Sequence, residues 1–280
     1  MVNTTTTASS TIQDQVSTML VQPLEAASVV LSSGATIFNS SEPLRIPRLT
    51  GSTAVAWVGE GEQIPDTYTA NFDELALMPT SRKSIKAIVR VTNELIRQAK
   101  IGVSGVLQQR LVHDVKTKLD DALLNGTGAA NTVTGVLHQP GTQPAVLNLA
   151  NPDSLLDALA LATAAEVQPN RWIFNGGDFY TLRKVKDADG RYILESDITS
   201  DTTYRLFGVP VSVSNRMPAG KGLLLDTKQL AVVRDIDPQV KILDQKYADT
   251  DETGIRVVTR YDLGLIHPEG VVVLTAAVTP

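Results

Sequence analysis

The chain has 280 residues, 42% of them hydrophobic, enough for one large domain or two ordinary ones and unlike a disordered or fibrous sequence. It has no cysteine, which excludes disulfides, zinc–thiolate sites and thiol nucleophiles together. A net charge of −5 argues against a surface devoted to neutralising phosphates; the first basic residue is Arg45, too late for a secretory signal, and no apolar run is long enough to cross a bilayer.

Residues 1–11, "MVNTTTTASST", are polar and uncharged and read as an arm. Ile12, Val16, Met19 and Leu20 then recur at helical spacing, and Pro23 opens a second short helix. "PLRIPRL" carries Pro43 and Pro47 and reads as an extended lead-in. A strand is expected at 53–58, then the turn "GEGEQIPDT", then "NFDELALMPT". The next strand, "KSIKAIVRV", alternates strictly: Ile85, Ala87, Val89 and Val91 share one face, and Ser84, Lys86 and Arg90 the other. The two strands suggest a long two-stranded excursion. Hairpins of that kind are marginal in water, so it needs another surface to lie on.

Thr92 is a candidate N-cap for a short helix that "IGVSG" interrupts. A second helix is expected from Ser104 to Leu124, roughly 30 Å long at 1.5 Å per residue. Its apolar stripe of Leu107, Leu111, Val115, Leu119 and Leu123 precesses slowly around the axis. Residues 125–146 read as a loop. Residues 153–166 read as an amphipathic helix capped by Asn151 or Asp153, followed by the strand "RWIFN", a helix in "GGDFYTLRK", two strands in "LFGVPVSVSNRMPAGKGLLLD", and a strand or short helix in "KQLAVVRD". The tail reads as two long strands separated by a turn near His267 and Pro268.

Catalytic signatures are absent: there is no G-x-x-x-x-G-K-[ST], G-x-S-x-G or H-E-x-x-H. His113, His138 and His267 are far apart in sequence and read as surface or loop residues. "DTDETG" (249–254) resembles the start of a calcium loop, but Arg260 stands where a closing Glu is required, so it reads as a solvated turn. Asp120 and Asp121 point about 100° apart on the long helix and are assigned to a solvated or intersubunit face. No catalytic residue, cofactor or metal is expected.

Between Leu49 and Ser81 stand Glu60, Glu62, Asp66, Asp73 and Glu74, with no Lys or Arg. Two readings stay open. Either the excursion folds onto its own subunit with its acids in solvent, or it docks on a neighbour, burying Trp57 or Phe72 and pairing its acids with a basic surface.

The order of landmarks "WVGEGEQIP", "FDELALMP", "LLNGTG", "DADGRYIL" and "LFGVPVSVSNRMP" resembles tailed-phage major capsid proteins of the Hong Kong 97-like fold over nearly the whole chain. The resemblance implies an α+β fold in five parts. These are an N-terminal arm with short helices (1–45), an extended β-hairpin loop reaching across a neighbouring subunit (46–91) and a peripheral domain with a long spine helix (92–150), then an axial α/β domain (151–236) and return strands of the peripheral domain (237–280). It also implies that Trp57, Glu60, Glu62, Ile64, Pro65 and Phe72 contact the next subunit, within hexamers and pentamers of an icosahedral head enclosing double-stranded DNA.

Implied partners are further copies of the chain, a portal protein, a separate scaffolding protein, a decoration protein, and packaged DNA bound without sequence preference; no membrane is involved. The implied location is the virion, assembled in the bacterial host cytoplasm. Some relatives weld their shells through a loop lysine, but here Ile64 occupies the matching place before Pro65, so no covalent cross-linking is expected. The arm begins almost at Met1, and a fused scaffolding segment is not expected. The alternatives are an encapsulin-type nanocompartment that packages cargo enzymes and, from another class, a soluble enzyme.

Overall fold

The computed structural model describes residues 28–50, 57–61, 71–78, 83–94, 103–129, 131–186, 189–190, 192, 204–243 and 245–276. The expected arm, the helix at 12–20, most of the strand at 53–58 and the body of the helix after Thr92 lie outside these residues. In chain order the described elements are α1 (Val29–Ser32), β1 (Thr36–Asn39), β2 (Leu44–Thr50), β3 (Asn71–Leu77), β4 (Ile85–Thr92), α2 (Val103–Asn125), β5 (Gln143–Leu147), α3 (Asp153–Ala164), β6 (Arg171–Phe174), α4 (Gly176–Arg183), β7 (Arg205–Leu206), β8 (Val209–Val213), β9 (Lys221–Leu225), β10 (Leu230–Leu243), β11 (Glu252–Leu265) and β12 (Val272–Ala276).

A six-stranded mixed sheet runs β5-β12-β9-β6-β8-β7. Its central strands read as continuous apolar runs because both faces are covered. Trp172, Phe174 and Leu224 enter one core with Leu155, Ala158 and Phe179 of α3 and α4, whereas Ile173, Leu223 and Leu225 enter a second core with the stripe of α2. Trp172 is fully buried and its indole N–H donates to the Leu206 carbonyl at 3.2 Å. Beside it, a Cβ at Gly222 would lie 2.3 Å from the Phe174 ring, so only glycine permits that ring position.

The second sheet has four strands in the order β1-β10-β11-β4. Val257, Tyr261, Leu263 and Leu265 of β11 point into the α2 core, joined by Ile85, Ala87 and Val89 of β4. One core therefore takes side chains from both sheets. The spine helix lies between them, with Leu111, Val115, Leu119 and Leu123 buried. Gly105 falls inside this helix instead of interrupting it; its cost of about 1 kcal/mol is small beside a buried leucine's roughly 1.5–3 kcal/mol.

Several expectations change. β4, expected as one strand of the two-stranded excursion, pairs along its length with β11, from Ile85↔Thr259 to Thr92↔Glu252, and its apolar face joins the α2 core. The hairpin of the excursion is β2 with β3, in register from Leu44↔Leu77 to Thr50↔Asn71. Pro47 is tolerated there because a strand of a two-stranded sheet has a free edge. β5 lies in the segment read as loop; its Pro144 fits an edge strand, which β5 is. The closing strands are divided between the sheets, β11 in the four-stranded sheet and β12 between β5 and β9 in the six-stranded one. Asp120 is not solvated: it is 1% exposed, and its carboxylate accepts from Ser28 Oγ at 2.6 Å and from the Val29 N–H at 3.2 Å.

Candidate assembly interface

The base of the β2–β3 hairpin is seated on the face of the four-stranded sheet that points away from α2. Leu77, Met78, Ala231 and Val233 form a third small core there, with Leu44, Ile46 and Leu75 packed around it. The seat depends on Gly264 of β11, where a Cβ would lie 2.6 Å from Leu77 Cδ2 and 3.0 Å from both Leu75 methyls. Two polar contacts fix the exit. Arg48 Nη1 donates to the Leu265 carbonyl at 3.2 Å, and the Met78 N–H, at φ 56°, donates to Asp262 Oδ2 at 2.7 Å.

The acids of the hairpin divide in two. Glu74 pairs with Arg45 at 3.1 Å, and Asp73 pairs with Arg48, each across the ladder of the same chain. Two of the five acids read as seeking a neighbour's basic surface thus have partners at home. The signal was available: Arg45 and Arg48 stand just upstream of the cation-free stretch, and the antiparallel register sets Arg48 opposite Asp73 and Arg45, opposite Ala76, diagonal to Glu74. Such exposed pairs are worth about 0–1 kcal/mol each and mainly hold register.

At the far end of the hairpin, Trp57 is 105% exposed, and Glu60 and Gly61 are exposed beside it. Glu62, Ile64 and Pro65 lie outside the described residues; Phe72 is placed on the ladder opposite Leu49. Among the predicted contact residues, Trp57 and Glu60, three apart in the chain between β2 and β3, are both exposed, and Phe72 lies in β3.

Elsewhere the polar side chains are used internally. A pocket of about 230 Å³ at the foot of the hairpin is lined by Leu75, Met78, Lys83, Gln139, Tyr261 and Asp262 among others. Lys83 Nζ already donates to the Gly128 and Thr132 carbonyls, both at 2.6 Å, and Gln139 Nε2 to those of Thr134 and Leu263 at 3.0 Å. His113 and His138 are exposed, and His267 lies 3.4 Å from the Ala165 carbonyl. Among the described residues no group of three or more His, Asp or Glu is placed to hold a metal ion. In the "DTDETG" turn, Asp251 accepts from Asn93 Nδ2 at 2.6 Å, tying the turn to the end of β4.

Residues 8–276 match the model of the phage capsid family. The major capsid protein of Klebsiella oxytoca phage phiKO2 is 24% identical over 286 aligned positions, covering 91% of this chain and 63% of that protein. The major capsid protein of Enterobacteria phage HK97 is 24% identical over 218 positions, covering 72% of this chain and 54% of that protein. The chain thus spans less than two thirds of the length of these two relatives. Among solved structures, the capsid of the native GTA particle superposes with a TM-score of 0.73 at 16% identity, covering 91% of this chain and 90% of that one. A chain of Microbacterium phage Oxtober96 gives 0.73 at 17% identity, with 89% and 91% covered. The family model and the curated relatives are phage capsid proteins, and the encapsulin alternative is not favoured. Matched along almost its whole length by one family model and sharing the Hong Kong 97-like α+β fold of capsid structures, the chain belongs to the phage capsid family.

Proposed function

We propose that this chain is the repeating subunit of a phage head, assembling into hexamers and pentamers that close into an icosahedral shell around double-stranded DNA. Membership of the capsid family supports the role, and the single observation that carries the mechanism is Trp57. A fully exposed indole at the end of a stalk gains stability only by being covered, and repetition of one such contact through closed symmetry builds a shell from individually weak interfaces. Trp57, Glu60, Glu62, Ile64, Pro65 and Phe72 are the loop residues that engage the next subunit. The four-stranded sheet with the spine helix forms the peripheral part, and the six-stranded sheet with α3 and α4 the axial part. The net negative charge suits a wall that confines DNA without gripping it. Portal, scaffolding and decoration proteins are the further partners this role implies, the particle is where the protein resides, and assembly takes place in the host cytoplasm. No enzymatic step belongs to this role.

The test is sedimentation velocity on the recombinant chain, expressed alone and together with its flanking genes, followed by imaging of any fast fraction. Closed shells, hexamers or pentamers are expected. A chain that stays monomeric in both settings overturns the reading. Trp57→Ala is expected to lower the assembled fraction at least about tenfold, in line with a central aromatic anchor. The melting temperature of the isolated subunit should not move, because the side chain touches nothing within it.

A further inference from the structure

Among the described residues the four-stranded sheet consists of two halves joined by a neck. β1 pairs with β10 from Thr36↔Ala231 to Asn39↔Arg234, and β4 pairs with β11 from Thr92↔Glu252 to Ile85↔Thr259. Between those limits the sheet narrows to β10 and β11, paired at Ile236↔Arg260. The register shifts on both sides of Ile236, so that β10 spends Asp235 to Pro238 where β11 spends Thr259 and Arg260. Bulges of this kind bend a strand and increase its twist, and Pro238 has no N–H to give to the ladder there. Two contacts brace the neck. Arg260 Nη1 donates to Asp235 Oδ2 at 3.1 Å, the Asp235 side chain being 4% exposed, and the fully buried Thr259 donates its hydroxyl to the Ile236 carbonyl at 3.2 Å. Packing thins across it. On the β1 side Val232, Leu263 and Leu265 are buried in the α2 core, whereas on the β4 side Val257 is buried but Ile85, Ala87 and Val89 are only half-buried.

We propose that the Asp235–Arg260 pair, with Thr259, sets the angle between the two halves of this sheet and through it the curvature, and so the diameter, of the shell. The inference rests on the assembly reading above and adds to it the positioning residues that fix shell geometry. A buried ion pair is weak evidence of stability, because desolvation offsets much of its attraction and apolar side chains of similar bulk often serve as well. What the pair supplies is direction, since a guanidinium and a carboxylate fit well in few orientations. At a neck two strands wide, that direction becomes an angle. The lever is long. At about 3.3 Å per residue the stretch from Thr259 to Glu252 extends roughly 25 Å, so a turn of about 10° at the neck moves its far end by roughly 4 Å. Apolar contacts are lost beyond about 4.5 Å, so the angle decides which neighbouring surface the far end can meet. Closed symmetry repeats one contact geometry through every copy, and a small change of angle accumulates into a different curvature.

The test uses the full chain. Asp235→Leu with Arg260→Met replaces the pair by apolar side chains, and Thr259→Val removes the hydroxyl at nearly constant shape. Because the chain has no cysteine, Thr36→Cys and Lys86→Cys, at exposed positions on β1 and β4, place one spin label on each half. Three readouts are taken: the label-to-label distance in the free subunit, the melting temperature of that subunit, and the diameters of unlabelled particles imaged by electron microscopy. The paired variant is expected to melt within about 4 °C of wild type, while the spread of the distance and the spread of particle diameters each grow about twofold or more. Thr259→Val should do the same to a smaller extent. The inference is overturned if the paired variant keeps the wild-type distance distribution, or if that distribution broadens and the particles keep the wild-type diameter and spread. Should the paired variant fail to fold, the same two outcomes in Thr259→Val decide. In each of these cases a wild-type chain that forms shells leaves the assembly reading standing. A wild-type chain that never assembles removes both.

Discussion

Asp120 occupies a helix position that sequence periodicity assigns to the outside, yet it is buried, and the reason lies 92 residues upstream. Its carboxylate accepts from Ser28 Oγ and the Val29 N–H, while Ser28 Oγ in turn accepts from the Leu31 N–H as N-cap of α1. A buried carboxylate of this kind is retained because every alternative leaves amide and hydroxyl donors dry. Asp120→Ala is expected to cost about 1–3 kcal/mol, read as a lower midpoint in urea unfolding with an unchanged slope. Asp120→Asn keeps an acceptor in place and should lose less. Nothing local in the sequence identifies such a residue. The stripe of Leu111, Val115, Leu119 and Leu123 was legible because periodicity is a property of one helix. The role of Asp120 was not, because it depends on which distant segment folds against that helix.

The same division holds for whole elements. The spine helix, β6 and the alternating β4 were readable, since each announces itself by period or by an unbroken apolar run. Pairing was not: β4 is an evident strand, but only the third dimension assigns it to the closing strand β11 and pairs β3 with β2. β5 was hidden by Pro144 and by its length of five residues, which in isolation looks like loop. Gly264 shows how an element's placement can rest on one missing side chain. Gly264→Val puts carbon where Leu75 and Leu77 now pack, and overpacking of this order costs about 1–3 kcal/mol. Since the strain falls on the hairpin's seat and not on the α2 core, the expected outcome is local release of the hairpin. Limited proteolysis should cut between residues 44 and 77 faster than in wild type, while the fragments that contain α2 and the six-stranded sheet stay resistant.

At the scale of the whole molecule, the fold became legible through the order of landmarks, and the surface chemistry then sets what kind of assembly the chain can make. A covalent weld between subunits needs a lysine amine free to attack an asparagine side-chain carbonyl, with loss of ammonia. None stands between Leu49 and Ser81, the stretch of the extended loop that includes its tip. Lys83, the next lysine along the chain, holds the Gly128 and Thr132 carbonyls of its own subunit, and breaking both bonds would unmake the loop that follows the spine helix. On the proposed assembly reading the interface is held by burial of the tip and by charge pairs, which are reversible and screened by salt. Assembled particles boiled in detergent should run as a single band at the monomer mass, and concentrated salt should shift intact particles toward free subunits. A ladder of covalent oligomers on that gel would mean that a lysine outside the loop reaches a neighbour.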